Sequence, residues 1–129
     1  APAPDFTEAM RKGGLSPEQR LQLEMSGSCA IENCYDDGEP YHISAALLDE
    51  GARHCLLDRD SIPIELPCRI LHGQCDPDVP WEQSLLLAEK LSSSDVEVLL
   101  VKDGDHRLSR PRDLARLQAA IENLMEAVA

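Results

Sequence analysis

Two stretches of the sequence combine residue types that can do acid–base chemistry. The first runs from His72 to Pro80 and contains Asp76, and the second is Gly104-Asp105-His106. A carboxylate that accepts the Nδ1–H of a histidine fixes the tautomer of the ring and stabilises the imidazolium formed in general-base catalysis. Taken singly, Asp76 could be a turn former and His106 a surface residue. Taken together, they are candidates for two of the three members of a nucleophilic triad.

Each candidate follows a predicted strand. The apolar runs Cys68–His72 and Val96–Val101 predict two short strands. Amphipathic patterns predict a helix after each strand, one from Trp81 to about residue 91 and one from Pro111 onwards. This order predicts a right-handed parallel layer, and ligands bind beyond the carboxyl ends of the strands in such sheets. We therefore expect the two candidates to lie close together.

The first half of the sequence predicts helices and turns. Asp5 is predicted to cap a short helix, and Ser16 is predicted to cap a second one. The residues between 28 and 43 favour turns or a short hairpin, and Ser44 begins another helix. Because two strands are too few for an independent sheet, the predicted parallel layer is expected to be the end of a larger sheet.

Composition and charge argue against several classes of partner. The 129 residues include 24 acids and 12 bases, and the formal net charge of -12 disfavours nucleic acid and anionic membrane surfaces. Hydrophobic residues make up 43%, which is enough for a packed core. No apolar stretch approaches the roughly 20 residues of a membrane span. Since the first residue is Ala rather than Met, we expect that the chain was cut, processed or excerpted upstream.

The five cysteines raise two other hypotheses, a metal site and a cysteine nucleophile, and the sequence favours neither. An odd number leaves at least one thiol unpaired, and a reduced interior is the simpler interpretation. Cys68, His72 and Cys75 are close in sequence, but structural zinc sites usually show Cys-x-x-Cys pairs. Cys75 could act as a nucleophile only with an adjacent base to activate its thiol. We therefore expect no metal and no cofactor.

The polar stretches resemble the C-terminal half of an α/β-hydrolase. In that fold the triad follows the chain order Ser, then Asp or Glu, then His. The similarity covers most of residues 1–125 and is to the mitochondrial abhydrolase-domain S-depalmitoylase and acyl-glucuronide esterase family and its bacterial relatives. It rests on His72-Gly73-x-x-Asp76-x-x-Val79-Pro80, Gly104-Asp105-His106-Arg107, Tyr41-His42-Ile43, His54-Cys55-Leu56-Leu57 and Ile62-Pro63-Ile64.

The resemblance implies catalytic roles for two residues, and three neighbouring residues are further candidates. Asp76 would be the triad acid and His106 the general base, while Asp78 is a rival acid that the spacing of the family disfavours. Trp81 is a candidate wall of the substrate cleft, although a helix-start anchor packed on the sheet is the favoured alternative. Arg107 is a candidate substrate contact that could instead pair with an acid.

The resemblance also implies the fold class and the domains. The fold would be α/β, the C-terminal part of an α/β-hydrolase: its last two parallel strands with flanking helices, preceded by a helical cap-like segment. Residues 1–60 would be the cap-like insertion after the sixth strand of the family. Residues 61–129 would form the strand–helix–strand–helix layer of the core.

The nucleophile of the family has no counterpart in the sequence. Its serine sits in a Gly-x-Ser-x-Gly elbow, and no serine here has both glycines. The resemblance thus implies part of a serine hydrolase of acyl esters and thioesters, which supplies Asp76 and His106 and is inactive alone. The substrate would be a small-molecule or acyl-protein ester, and the location mitochondrial or cytoplasmic.

A non-catalytic role is the alternative. A truncated or spliced interaction module would associate through an exposed sheet edge, because an unpaired edge strand is a template for another chain. The expected partner is either the missing N-terminal half or a second copy of the chain.

Overall fold

The computed structural model describes residues 1–32 and 39–128. Its residues form two compact units, one from Pro4 to Leu56 and one from Leu57 onwards that includes Ala1–Ala3. The turn residues predicted at 33–38 lie outside the described ranges. The predicted division at residue 60 and the cap-like role of the first part stay predictions.

The first unit is built from short helices and one antiparallel hairpin, and its buried core consists of Leu15, Cys29 and Leu48. In chain order its elements are α1 (Phe6–Ala9), a π-helical turn (Met10–Gly14), α2 (Pro17–Ser26), β1 (Ser28–Ile31), β2 (Tyr41–Ser44), α3 (Ala45–Gly51) and a 3-10 turn (Ala52–His54). The hairpin agrees with one of the two structures predicted between residues 28 and 43.

Side-chain caps explain where two of these helices begin. Ser16 and Ser44 accept backbone amides at the starts of α2 and α3, as their position before each apolar pattern predicts. The prediction that Asp5 caps α1 is wrong. Asp5 has a left-handed φ of 63°, and its Oδ1 accepts the amide of Leu56 at 2.7 Å. This long-range contact could not be read from the local pattern.

The second unit has the predicted order of strands and helices. Strand β3 (Cys68–Gly73) is followed by α4 (Glu82–Lys90), β4 (Val96–Val101) and α5 (Pro111–Val128). The two strands pair in parallel, with β3 and β4 beginning and ending side by side. The carboxyl ends of both strands therefore lie at the same edge of the sheet.

The two helices lie on opposite faces of the strand pair. Ser84 of α4 contacts His72 of β3, whereas Asn123 of α5 accepts a hydrogen bond from Arg69 at 2.7 Å. Because side chains alternate along a strand, Ile70 shares the α4 face with His72. We call these two sides the α4 face and the α5 face.

The α5 face is only partly covered. The apolar stripe of α5 is exposed at Leu114, Leu117, Ile121, Met125 and Val128. On the strand side, Leu99 of β4, which belongs to the α5 face, is exposed as well. Within the described residues, no helix combines the length and the apolar character needed to cross a membrane.

Candidate functional site

Two glycines let the carboxyl ends of β3 and β4 approach each other. A side chain on Gly73 would collide with the backbone of Gly104 and Asp105, and a side chain on Gly104 would press against Leu108. The amide of Cys75 donates to the carbonyl of Gly104 at 2.9 Å. The loop after β3 and the loop after β4 are therefore joined directly beyond the ends of their strands.

This close approach brings Asp76 and His106 into hydrogen-bond contact. The Oδ2 atom of Asp76 lies 2.9 Å from Nδ1 of His106. Because a carboxylate only accepts, Nδ1 carries the proton, and Nε2 lies on the opposite edge of the ring. The Asp76 side chain is 1% exposed and that of His106 is 33% exposed, so a buried acid orients an imidazole that reaches the surface.

The backbone holds the other oxygen of the Asp76 carboxylate. Its Oδ1 accepts the amide of Asp78 at 2.8 Å and the amide of Val79 at 3.0 Å. Burial raises the pKa of Asp76, but the hydrogen bonds from Val79, Asp78 and His106 together outweigh burial and hold its pKa below the usual range. Asp76 is thus an ionised acceptor at neutral pH, which is what orienting an imidazole requires.

Asp78, the rival acid, is farther from the imidazole and more exposed. Its Oδ2 lies 3.7 Å from Nδ1 of His106, beyond hydrogen-bond distance. In the described part of the chain, Asp76, Asp78 and His106 are the one group of three that offers metal-ligand atoms within 4.8 Å of one another. In Asp76 and His106 those atoms are engaged in the hydrogen bond between the two side chains.

Two buried residues to which the sequence analysis gave no part in the triad lie behind Asp76. His72 and Ser84 are both 0% exposed. Nδ1 of His72 is 2.6 Å from Oγ of Ser84, and Nε2 is 3.0 Å from the carbonyl oxygen of Val79. The same Nε2 is 3.5 Å from Oδ2 of Asp76. A histidine within a mostly apolar strand pattern was the available signal.

The predicted substrate-binding residues have different surroundings. Trp81 is half-buried at the cap position before α4. Arg107 is exposed and lines a cavity of about 340 Å³ on the α5 side together with Leu71 and Leu114. Both substrate-binding roles stay predictions.

The described cysteines lie outside the group of metal-ligand atoms formed by Asp76, Asp78 and His106. Among the described residues, Cys68, His72 and Cys75 do not make a metal-ligand cluster. The thiol of Cys75 donates to the carbonyl of Lys102 at 3.3 Å. Cys34 lies outside the described residues, and the described cysteines are free thiols: Cys29, Cys55, Cys68 and Cys75.

Similarity to known proteins is extensive but covers only part of their length. No protein-family model matches the chain. The chain is 37% identical over 112 residues to the mitochondrial palmitoyl-protein thioesterase ABHD10 of Rattus norvegicus, a match covering 87% of this chain and 37% of the rat protein. The protein of the same name in Homo sapiens is 34% identical over 112 residues, covering 87% and 36%. The chain therefore spans little more than a third of the length of these curated relatives.

Solved structures also match most of this chain but only part of their own length. A protein from Agrobacterium vitis S4 that was named as a hydrolase matches with a TM-score of 0.88 and 38% identity, over 95% of this chain and 46% of that chain. Alpha/beta hydrolase domain-containing protein 10 from mouse matches with a TM-score of 0.81 and 33% identity, over 98% of this chain and 50% of that chain.

Proposed function

We propose, from the premise that this chain has the fold of the C-terminal part of an α/β-hydrolase and resembles the ABHD10 thioesterases, that it supplies the acid and the general base of a serine hydrolase. The observation that carries the proposal is the 2.9 Å hydrogen bond between Asp76 and His106 at the carboxyl ends of two parallel strands. The substrate class would be acyl esters and thioesters, including acyl groups carried on protein cysteines.

In this mechanism His106 and Asp76 act on a serine supplied from outside this sequence. Nε2 of His106 takes the proton of the serine hydroxyl while the serine oxygen attacks the acyl carbonyl. The imidazolium then gives that proton to the leaving thiolate or alkoxide. In the second half His106 deprotonates a water, which attacks the acyl-enzyme, and returns a proton to the serine. Asp76 stays ionised and holds Nδ1–H throughout.

The remaining catalytic parts would come from another polypeptide segment. The sequence contains no Gly-x-Ser-x-Gly, so neither the nucleophile nor the oxyanion hole that accompanies it is assigned to this chain. We therefore propose that the chain alone is inactive.

The exposed α5 face supports the N-terminal half of an α/β-hydrolase as the partner. Leu114, Leu117 and Ile121 present an apolar stripe to solvent, and exposed apolar patches of this kind mark interaction surfaces. The matched hydrolase structures are about twice as long as this chain, which spans 46% and 50% of them. An N-terminal half would both cover this stripe and bring the serine.

Residues 1–60 are proposed as a cap-like insertion that follows the sixth strand of the α/β-hydrolase fold. The support is that Pro4–Leu56 is compact by itself, with a core of its own around Leu48. Trp81 and Arg107 are proposed to contact the substrate near Asp76 and His106. A mitochondrial location is proposed because the names of the curated relatives include it.

The test is reconstitution of activity. The chain would be assayed with p-nitrophenyl esters and a palmitoyl thioester, alone and together with the N-terminal half of the mouse relative. We expect no turnover by the chain alone and turnover by the complex. His106→Ala should lower turnover by at least about 10⁴-fold, since triad members act as a unit. Glu89→Ala, at an exposed residue of α4 to which no role is assigned, is the control and should leave turnover unchanged.

Two outcomes would contradict this proposal. Turnover by the chain alone that disappears in His106→Ala would mean that the nucleophile lies within this sequence. A complex whose assembly is verified, but which turns over equally well with and without His106, would exclude His106 as the base.

The alternative is a non-catalytic module, and the same exposed stripe on α5 favours it. A second copy of the chain would then cover Leu117 and Ile121 in place of an N-terminal half. Light scattering decides between them, because self-association gives a mass that rises with concentration in the isolated chain. A stable monomer that binds the N-terminal half would exclude the alternative.

A further inference from the structure

His72 is a wholly buried polar side chain that lies between helix α4 and the Asp76 loop. It sits on the α4 face of β3, where an aliphatic side chain would bury more cheaply, because a buried polar group costs free energy unless it is hydrogen-bonded. Both ring nitrogens have partners: Ser84 Oγ at 2.6 Å and the Val79 carbonyl at 3.0 Å. The burial is thus compensated by specific contacts.

Those partners decide the tautomer of His72. A backbone carbonyl only accepts, so Nε2 must carry a proton and donate it to Val79. In the neutral ring Nδ1 is then an acceptor, and the hydroxyl of Ser84 donates to it. Ser84 is itself wholly buried on α4, so the helix holds the ring in one orientation.

Val79 links this ring to the triad acid. Its carbonyl accepts from His72, and its amide donates to Oδ1 of Asp76 at 3.0 Å. Nε2 of His72 also lies 3.5 Å from Oδ2 of Asp76, the oxygen that accepts from His106. Two paths, one through the Val79 peptide and one through space, therefore connect His72 to both carboxylate oxygens.

We propose that His72, held in its Nε2–H tautomer by Ser84, is a positioning residue that keeps the Asp76 carboxylate aligned with His106. Its meaning for catalysis rests on the proposed function, but the alignment itself is a property of this chain. Loss of the Nε2–H donor frees the Val79 peptide, and Asp76 then loses a backbone hydrogen bond as well as a nearby N–H.

The first experiment uses the unaltered chain and needs no variant that must fold. Long-range ¹H–¹⁵N spectra of the histidine rings report which nitrogen carries the proton. We expect His72 to show a protonated Nε2 and an unprotonated Nδ1 at neutral pH. A protonated Nδ1 with an unprotonated Nε2 would overturn the proposal, because His72 could not then donate to Val79.

The second experiment compares His72→Gln with His72→Phe. Glutamine keeps an N–H donor at a reach similar to that of Nε2, whereas phenylalanine keeps only the bulk. We expect the titration of the Asp76 carboxyl, followed by ¹³C NMR, to stay near wild type in His72→Gln. In His72→Phe its midpoint should move upward, and the downfield Nδ1–H resonance of His106 should be lost.

Ile70→Ala is the matched control on the same strand and face. Ile70 has no polar side-chain atom, so this variant should lower the unfolding temperature without moving the Asp76 titration. An Asp76 midpoint that shifts equally in Ile70→Ala and His72→Phe would reduce His72 to a packing role and overturn the proposal. An unshifted midpoint in folded His72→Phe would overturn it as well.

These outcomes are independent of the activity assay. If His72→Phe uncouples Asp76 from His106 while the reconstituted complex shows no turnover, the alignment stands and the proposed hydrolase function fails. If the complex is active but Asp76 is insensitive to His72, the positioning role fails alone.

Discussion

The two faces of the β3–β4 sheet differ greatly in how far their side chains are buried. On the α4 face, Ile70 is 8% exposed and the polar pair His72–Ser84 is wholly buried with its hydrogen bonds made. On the α5 face, Ile121 of the helix is 50% exposed and Leu99 of the strand is exposed too. Yet α5 carries the longer and more regular apolar stripe of the two helices.

The difference shows that a clear amphipathic pattern does not ensure burial within the same chain. The α4 face closes because the described residues supply both sides of the contact. The α5 face has an apolar stripe but too little surface opposite it, which is the condition of an interface. The candidate site lies at the strand ends and is built by loop contacts that do not need the α5 face.

The largest expected effect concerns the triad acid that follows the carboxyl end of β3. In the reconstituted enzyme, Asp76→Asn should lower turnover by about 10⁴-fold, because an amide cannot hold the Nδ1–H tautomer of His106. Asp78→Asn should change turnover by less than about fivefold, since a partly exposed charge contributes under about 1 kcal/mol. Equal losses in the two variants would show that the acid role is shared.

A smaller effect compares one residue type on the two faces. Ile70→Ala should cost about 2–4 kcal/mol of the free energy of unfolding, because it leaves a cavity in a packed layer. Ile121→Ala, the same change on the α5 face, should cost less than about 1 kcal/mol in the isolated chain. Urea unfolding measures both values. Similar costs would mean that α5 is buried in solution by self-association.

The pH dependence of stability should be the smallest effect. It involves two hydrogen-bonded carboxylates, Asp113 in α5 and Asp76 after β3. Hydrogen bonds from Arg110 are the largest cause that holds the pKa of Asp113 below its usual range, with burial opposing them and Arg116 adding to them. The pKa of Asp76 is low as well. Each carboxylate therefore stabilises the fold above the unfolded pKa of about 3.9, and that contribution is lost as the pH falls below it.

Acid unfolding measures this contribution. The free energy of unfolding should fall between about pH 5 and pH 3, and Asp113→Asn should flatten that fall. Asp76→Asn should flatten it independently, since the two groups have no partner in common. A pH dependence that neither variant changes would assign acid sensitivity to other carboxylates.

The sequence predicted the second unit better than the first. The bounds of β4, Val96–Val101, follow directly from its largely apolar run. In the first unit, the Ser16 and Ser44 caps also follow from local pattern. The predicted Asp5 cap is wrong, because its carboxylate is taken by the amide of Leu56, 51 residues away. Local sequence patterns predict hydrogen bonds between residues that are close in the chain. They do not show that an amide far away in the sequence donates to the same carboxylate.

Some features of the candidate site were likewise predictable from the sequence, and others needed the structure. Residue types, strand order and the rule for strand ends were enough to nominate Asp76 and His106 and to expect them near each other. The choice between Asp76 and Asp78 needed the distances of 2.9 and 3.7 Å to the same nitrogen. The importance of His72 needed its burial and its two partners, which come from a loop and a helix.

Sequence by itself therefore determined the order of the elements in the second unit, the chemistry of the two candidate side chains and the absence of a serine elbow from these 129 residues. Tertiary structure alone decided which carboxylate meets the imidazole, which tautomer each contact requires and which face of the sheet stays open. The physical reason is that types and periodicity are properties of neighbours in the chain. Hydrogen bonds and burial depend on where the fold places residues that are distant in sequence.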